Sequence, residues 1–280
     1  MARIVTYESD NSLKKGYFSI FLEIFDEIRY NKWLTFQLFK RDFFGTYKQS
    51  FIGIFWAFIM PFFSLGTFIL LNRSGIFSIG DIDTPYPIYA MVGISFWQIF
   101  STGLISSSNS LAQAGAMITK INFSKKSLVI ASMAKTTVTF LIQSILVALL
   151  FIFYHIAPSI GIFLIPIVII PLMLFVIGLG FILSLLNAFI KDVGNGLSVI
   201  VTFLMFLTPV LYAKPSTGML AHLTKFNPLY YIVSAGRDLV LKGVISEPRG
   251  FLFSVVMSFV IFIIFLFIFH LTETRVTERI

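Results

Sequence analysis

Few residues of this 280-residue sequence are of a type and spacing that could do chemistry. Asp81-Ile82-Asp83 sets two carboxylates two positions apart, the pattern by which some glycosyltransferases hold a divalent cation, although acids in a short loop are usually just solvated. The three histidines, His155, His222 and His270, stand far apart near the ends of apolar stretches, and their spacing matches no metal signature. There is no cysteine, which excludes a disulfide framework and thiolate chemistry. No G-x-x-x-x-G-K-[ST] occurs, so the chain has no phosphate-cradling loop and cannot hydrolyse ATP by that route. What remains is two polar clusters in an apolar chain: Lys120, Asn122, Lys125 and Lys126 in one stretch, Arg237, Asp238 and Lys242 in another. Such groups suit docking and gating rather than bond-making. The sequence therefore gives no residue a catalytic role and assigns no metal site.

The elements that position these clusters follow from composition. Hydrophobic residues make up 57% and charged residues 12%, and 34 phenylalanines exceed what a soluble core of this length would use, so the chain reads as a polytopic membrane protein. The formal charge of +8 fits cytoplasmic loops facing anionic lipid better than nucleic acid, which is not expected as a partner. The first residues mix acids and bases without an apolar core, so no cleaved signal peptide is expected.

Five runs lack Asp, Glu, Lys and Arg: 49–72, 84–119, 136–190, 193–213 and 250–271. The third, of 55 residues, would be about 80 Å long as one helix, against a hydrocarbon layer of about 30 Å, so it holds two spans. Its break is placed at HIAPSIG, residues 155–161, by a proline followed by a glycine. The expected spans are 51–72, 87–110, 131–155, 161–187, 193–213 and 250–271, within a single transmembrane domain ending in a tail at 272–280. Placing both termini in the cytoplasm puts 14 of the 21 Lys and Arg residues inside and 6 outside, with Lys135 just within the third span.

Residues 1–50 are expected to form cytoplasmic amphipathic helices. Tyr17, Phe18, Ile20, Phe21, Ile24, Phe25 and Ile28 share one arc, with Glu23, Asp26 and Glu27 opposite. Trp33, Phe36, Phe39, Phe43 and Tyr47 then repeat at steps of three and four among lysines and arginines. An interfacial anchor explains this stripe, and contact with a cytoplasmic partner through Arg41, Asp42 and Lys48 is the alternative. In the loop 111–130, Leu111, Ala114, Ile118 and Ile121 keep helical periodicity, which suggests a short helix across the cytoplasmic face; a positive-inside signal explains its lysines equally. Segment 214–249 is too polar and broken to be a span. Asn227-Pro228 can cap and start a helix from Leu229 to about Leu241, too short to cross, whose Arg237 and Asp238 could not lie in bare lipid. A re-entrant pair of short helices satisfies both facts, with an amphipathic surface loop as the alternative.

The chain resembles the membrane subunit of type-2 ABC exporters for cell-surface polysaccharide, the group that handles O-antigen, capsule and teichoic acid. The likeness is carried in order by RDFFGTYKQSFIGIFWAFIMP, YPIYAMVGISFWQIF, ITKINFSKKSL, LTPVLY and FNPLYYIVSAGRDL. It implies an all-α protein of six transmembrane helices with an amphipathic interface helix and a re-entrant pair between spans five and six. It implies a homodimer with two copies of a separate ABC ATPase, which would bind the ATP and Mg, in the bacterial cytoplasmic membrane. Lys120, Asn122, Phe123, Lys125 and Lys126 would belong to a coupling helix in the ATPase cleft, helped by Arg41, Asp42 and Tyr47 of the interface helix. Asn227, Pro228, Tyr230, Tyr231, Arg237 and Asp238 would belong to an outer gate. A lipid-linked polysaccharide, undecaprenyl-diphosphate-linked O-antigen first among them, would pass between protomers, with Tyr89, Phe96, Trp97 and Phe100 as candidate lining aromatics. The competing readings are a secondary carrier or flippase, disfavoured by the absence of carboxylates within the spans and of internal repeats, and a membrane glycosyltransferase, supported by Asp81 and Asp83 alone.

Overall fold

An apolar run in lipid must satisfy its backbone N–H and C=O groups internally, and helix is the local solution. A computed structural model describes residues 17–48, 51–74, 80, 82–118, 120 and 123–276, and all regular structure among them is helical. In chain order the α-helices are α1 (Tyr17–Tyr30), α2 (Lys32–Tyr47), α3 (Trp56–Arg73), α4 (Tyr86–Gln113), α5 (Gly115–Ile118) and α6 (Lys126–Phe153). They continue with α7 (Ile165–Phe189), α8 (Asp192–Leu207), α9 (Gly218–Phe226), α10 (Pro228–Leu241) and α11 (Pro248–Val276).

Among the described residues, five helices are long and apolar enough to cross a membrane: α3, α4, α6, α7 with the 3₁₀ turn that leads into it, and α11. The expected fifth span, 193–213, is shorter than its charge-free run. It ends at Leu207, because Thr208 is extended and Pro209 follows, leaving α8 with 16 residues. At about 1.5 Å per residue that is about 24 Å of helix, short of the hydrocarbon layer. The long third run divides where expected. Helix α6 stops at Phe153, His155 takes a left-handed backbone with φ of 53°, and α7 starts with Pro166 in its first turn.

Helix α4 is the centre of the bundle. Of its most apolar window 72% is buried within the protein, against 17% for α3 and 22% for α11. It runs between α6, α7 and α10, and its 28 residues span about 42 Å. One end, near Tyr89, meets α10; the other, near Leu111, packs with Ile20 of α1, Leu38 of α2 and Phe269 of α11. The large core of Ile88, Phe96, Leu172 and Ile232 lies between. Polar side chains tie the helices together within it: Ser107 to Ser132 at 2.9 Å, Gln143 to Gln98, and Asn187 to Asn109 at 2.9 Å. Such bonds hold helices in a medium that offers little hydrophobic drive for their association.

The surface helices differ from the expected arcs. In α1 the buried residues are Ile20, Ile24 and Glu27, one face at steps of four and three, while Phe21 and Phe25 are exposed. In α2, Leu38 and Phe43 turn inward, Phe39 stacks between Phe36 and Phe43, and Trp33 is exposed. The apolar stripe of each helix is thus shared between protein and an outer face fit for lipid.

Candidate functional site

The loop between α4 and α6 lies at the α1 end. Leu111, Ala114 and Ile118 are buried on one side, as their spacing predicted, but the helix breaks at Ala114 and resumes only as the four-residue α5. Lys120 is exposed. Asn122 and Ile121 lie outside the described residues. Past them the chain turns inward: Phe123, Lys125 and Lys126, three of the residues expected in the coupling helix, are all buried within the chain. The reason is electrostatic. The Lys126 ammonium, with no exposed surface, donates to Glu27 Oε2 of α1 at 2.7 Å and to Glu273 Oε1 of α11. His270, one turn before Glu273, places Nδ1 3.4 Å from Glu273 Oε1 and 3.9 Å from Glu27 Oε2.

The carboxylates and His270 bring their donor atoms within 4.8 Å of one another, a set that could hold a cation. The ammonium bonded to both carboxylates already supplies that charge. Burial pushes the neighbouring Lys125 ammonium below the ordinary lysine range, opposed by Glu273 and Glu27. Sequence reasoning set Glu27 on a solvent face of α1 and gave Glu273 no role. A signal existed: with both termini placed inside, Glu27, Lys126 and Glu273 are opposite charges at one membrane surface, each beside an apolar segment.

On α2, Arg41 and Asp42 pair with each other at 2.8 Å, and Arg41 also reaches Met117 Sδ of α5 at 3.6 Å, joining surface helix to loop. Lys48 is exposed; the side chain of Tyr47 lies outside the described residues. Lys135, placed within the third span, donates to Thr46 Oγ1 at 2.9 Å and holds α6 to α2.

At the opposite end α9 and α10 form the expected pair of short helices, broken at Asn227. Asn227 Oδ1 accepts from the N–H of Leu229 at 3.0 Å, Pro228 fills the first turn, and Asn227 Nδ2 donates to Thr208 Oγ1 at 2.8 Å. Arg237 is buried. Its guanidinium lies 3.8 Å from the centre of the Tyr89 ring and donates to the Tyr89 hydroxyl and to the carbonyls of Pro209 and Val210. Gly93 of α4 makes room: a Cβ there would collide with the guanidinium and with the Val210 carbonyl. Asp238 Oδ2 accepts from the N–H of Ser246 at 2.9 Å, and its carbonyl accepts from Lys242 and Gly243, the latter in the left-handed region at φ 81°.

Further out, Glu247 accepts from Lys214 at 2.7 and 2.9 Å and from the Tyr230 hydroxyl, while Tyr231 donates to the carbonyl of Lys225 at 3.0 Å. Burial raises the Glu247 carboxyl, but hydrogen bonds from Lys214 and Tyr230 and the lysine charge together hold it below the usual carboxylate range. A polar cavity of about 150 Å³ lies among Asp83, Tyr89, Lys214, Arg237 and Asp238. Asp81, the other member of the Asp81 and Asp83 pair, lies outside the described residues.

Three of the four candidate lining aromatics face the interior of the single chain. Phe96, Trp97 and Phe100 are buried inside the protein, Phe96 against Phe140 at 5.5 Å and Phe100 against Trp97 and Phe175 at 5.1 and 6.3 Å. They lie on the buried side of the central helix, whose exposed positions are Thr102, Ala112 and Gln113. Phe96 also walls an apolar cavity of about 570 Å³ between α4, α6 and the turn before α7. Tyr89 instead anchors Arg237.

The sequence profile of the ABC-2 type transporter family matches residues 34–241, from the first turn of α2 to the end of α10. The chain belongs to that family. It is similar to an O-antigen export system permease protein RfbA of Klebsiella pneumoniae, 24% identical over 261 residues that cover 90% of this chain and 98% of the relative. A protein of the same name from Myxococcus xanthus is 26% identical over 183 residues, covering 64% and 68%. A second from Klebsiella pneumoniae is 22% identical over 227 residues, covering 79% and 86%.

Proposed function

We propose that this chain is the membrane subunit of an ATP-driven exporter of a lipid-linked polysaccharide, O-antigen carried on undecaprenyl diphosphate, across the bacterial inner membrane. The observation that carries the reading is the nearly end-to-end match to a relative named as an O-antigen export permease. The chain contributes no catalysis; a separate ABC ATPase, present as two copies beside two copies of this chain, binds ATP and Mg and supplies the energy. Both termini, α1, α2 and the loop after α4 face the cytoplasm, where exposed Lys120 and Arg41 are available to that ATPase. Helix α8 counts as the fifth of six spans, completed by residues 208–213 against the outer surface. The pair α9 and α10 forms the outer gate, re-entrant from that side. Since Phe96, Trp97 and Phe100 are internal, the aromatic surface a glycan meets between protomers belongs to exposed residues such as Trp56 and Phe63 of α3 and Phe203 of α8.

The test is purification of the tagged chain from native membranes in mild detergent, with stoichiometry of what accompanies it. An equimolar ATPase, together with intracellular build-up of lipid-linked polysaccharide when the chain is depleted, is the expected result. A chain that purifies alone under several mild conditions overturns the reading.

A further inference from the structure

We propose that Lys126 is a positioning residue for energy coupling, passing displacement of the loop between α4 and α6 to α1 and α11 through its buried bonds to Glu27 and Glu273. The inference rests on the exporter reading.

The two carboxylates are 99 and 147 residues away from Lys126 in sequence, so one ammonium joins three otherwise separate parts of the chain. Lys126 opens α6, directly after the loop, whereas Lys120 at the loop's other end is exposed. The loop thus has one end open to a partner and one end anchored: Phe123 and Lys125 are buried beside the anchor. Helix α11, which carries Glu273, packs along α7, and α7 packs along the central α4. Helix α1, which carries Glu27, is one of the two surface helices.

A push on the loop moves the Lys126 ammonium, and in a site shielded from water that ammonium cannot leave either carboxylate without stranding a charge. The loop can therefore shift only if α1 and α11 follow. Stability alone does not account for the arrangement, because well-packed apolar residues can replace a buried ion triad with little loss; its best-attested use is fixing register.

The experiment uses the complex of this chain with its co-purifying ATPase in nanodiscs, and cells for export. ATP hydrolysis, export of polysaccharide and thermal unfolding are measured for wild type, for the triple variant Glu27→Gln, Lys126→Met, Glu273→Gln, and for the swap Glu27→Lys, Lys126→Glu, which keeps one ammonium between two carboxylates. The triple variant is expected to unfold near the wild-type temperature and to hydrolyse ATP, with polysaccharide exported per ATP down at least tenfold. The swap is expected to recover much of that ratio. A triple variant that folds and keeps the ratio within twofold overturns the proposal.

Should the triple variant not reach the membrane, Glu273→Leu decides, since it removes the tie to α11 and leaves Lys126 paired with Glu27: a lowered ratio at unchanged melting supports the proposal, and a wild-type ratio overturns it. A wild-type chain without an ATPase overturns the exporter reading and this inference together. A coupled wild type beside an equally coupled triple variant overturns this inference alone.

Discussion

Lys126 at the α1 end and Arg237 at the α10 end are both buried cations, but they are held in different ways. Two carboxylates from distant helices take the lysine ammonium. The arginine is held by a tyrosine ring and by neutral carbonyls at residues 209 and 210. The nearby Asp238 turns to the N–H of Ser246 instead. The difference follows from the groups. An ammonium is a compact charge that two carboxylates can share, whereas a guanidinium is planar, stacks on an aromatic face and spreads its donors over several acceptors. The first arrangement binds parts of the chain by charge, so losing one partner strands another. The second stitches α10 to the end of α8 and to α4 by geometry, so it depends on shape.

That contrast can be broken most severely at Lys126. Lys126→Met alone leaves two buried carboxylates without their cation and is expected to cost about 3–5 kcal/mol, read as a large drop in the unfolding temperature in detergent. Adding Glu27→Gln and Glu273→Gln should restore most of the loss; a triple variant as unstable as the single one contradicts the charge-based account.

At the other end, Arg237→Lys keeps the charge and removes the planar fork. A loss of about 2 kcal/mol is expected, the scale of a desolvated cation–π contact. Limited proteolysis between α9 and α11 should detect it, and an unaffected variant would mean that charge alone matters there. Shape is tested directly by Gly93→Ala, whose methyl meets the guanidinium. It should cost about 1–3 kcal/mol by overpacking, and pairing it with Arg237→Ala should cost less than the sum of the two. Asn227→Ala removes the cap of α10 and should cost about 1 kcal/mol, seen as faster amide exchange in its first turn.

The smallest effect is in acid. The Glu247 carboxyl is held below the usual carboxylate range, so the folded state binds fewer protons there than the unfolded state. Its stabilisation is complete above the unfolded carboxylate value and is lost as pH falls through the lowered folded value. Labelling of the segment between α8 and α11 should therefore rise on acidification, and Glu247→Gln should flatten that rise.

Much of the fold was legible. Runs without charge become helices because lipid leaves the backbone no other local partner, and the breaks at residues 155–161 and at Asn227 were readable because proline, glycine and a capping side chain act on their immediate neighbours. The shortening of α8 was less legible: Thr208 to Ala213 carry no charge, so composition extended the span past the point where Pro209 stops the helix. Of the candidate site, the pair of short helices broken at Asn227 was readable. The burial of Phe123, Lys125 and Lys126 was not, because periodicity shows which residues share a face and not what covers it.

The same limit explains the aromatic residues. YPIYAMVGISFWQIF announces an apolar helix, but only packing shows that α4 is largely buried and that Phe96, Trp97 and Phe100 face inward.

The sequence by itself determined the apolar runs that become helices, the capped half-helix and the absence of cysteine and of a G-x-x-x-x-G-K-[ST] loop, since each depends on residue type or on neighbours within a few positions. Only the tertiary structure decided that Glu27, Lys126 and Glu273 share one buried site and that Arg237 closes on Tyr89. Those bonds join residues up to 148 positions apart, and no local rule of spacing reaches that far.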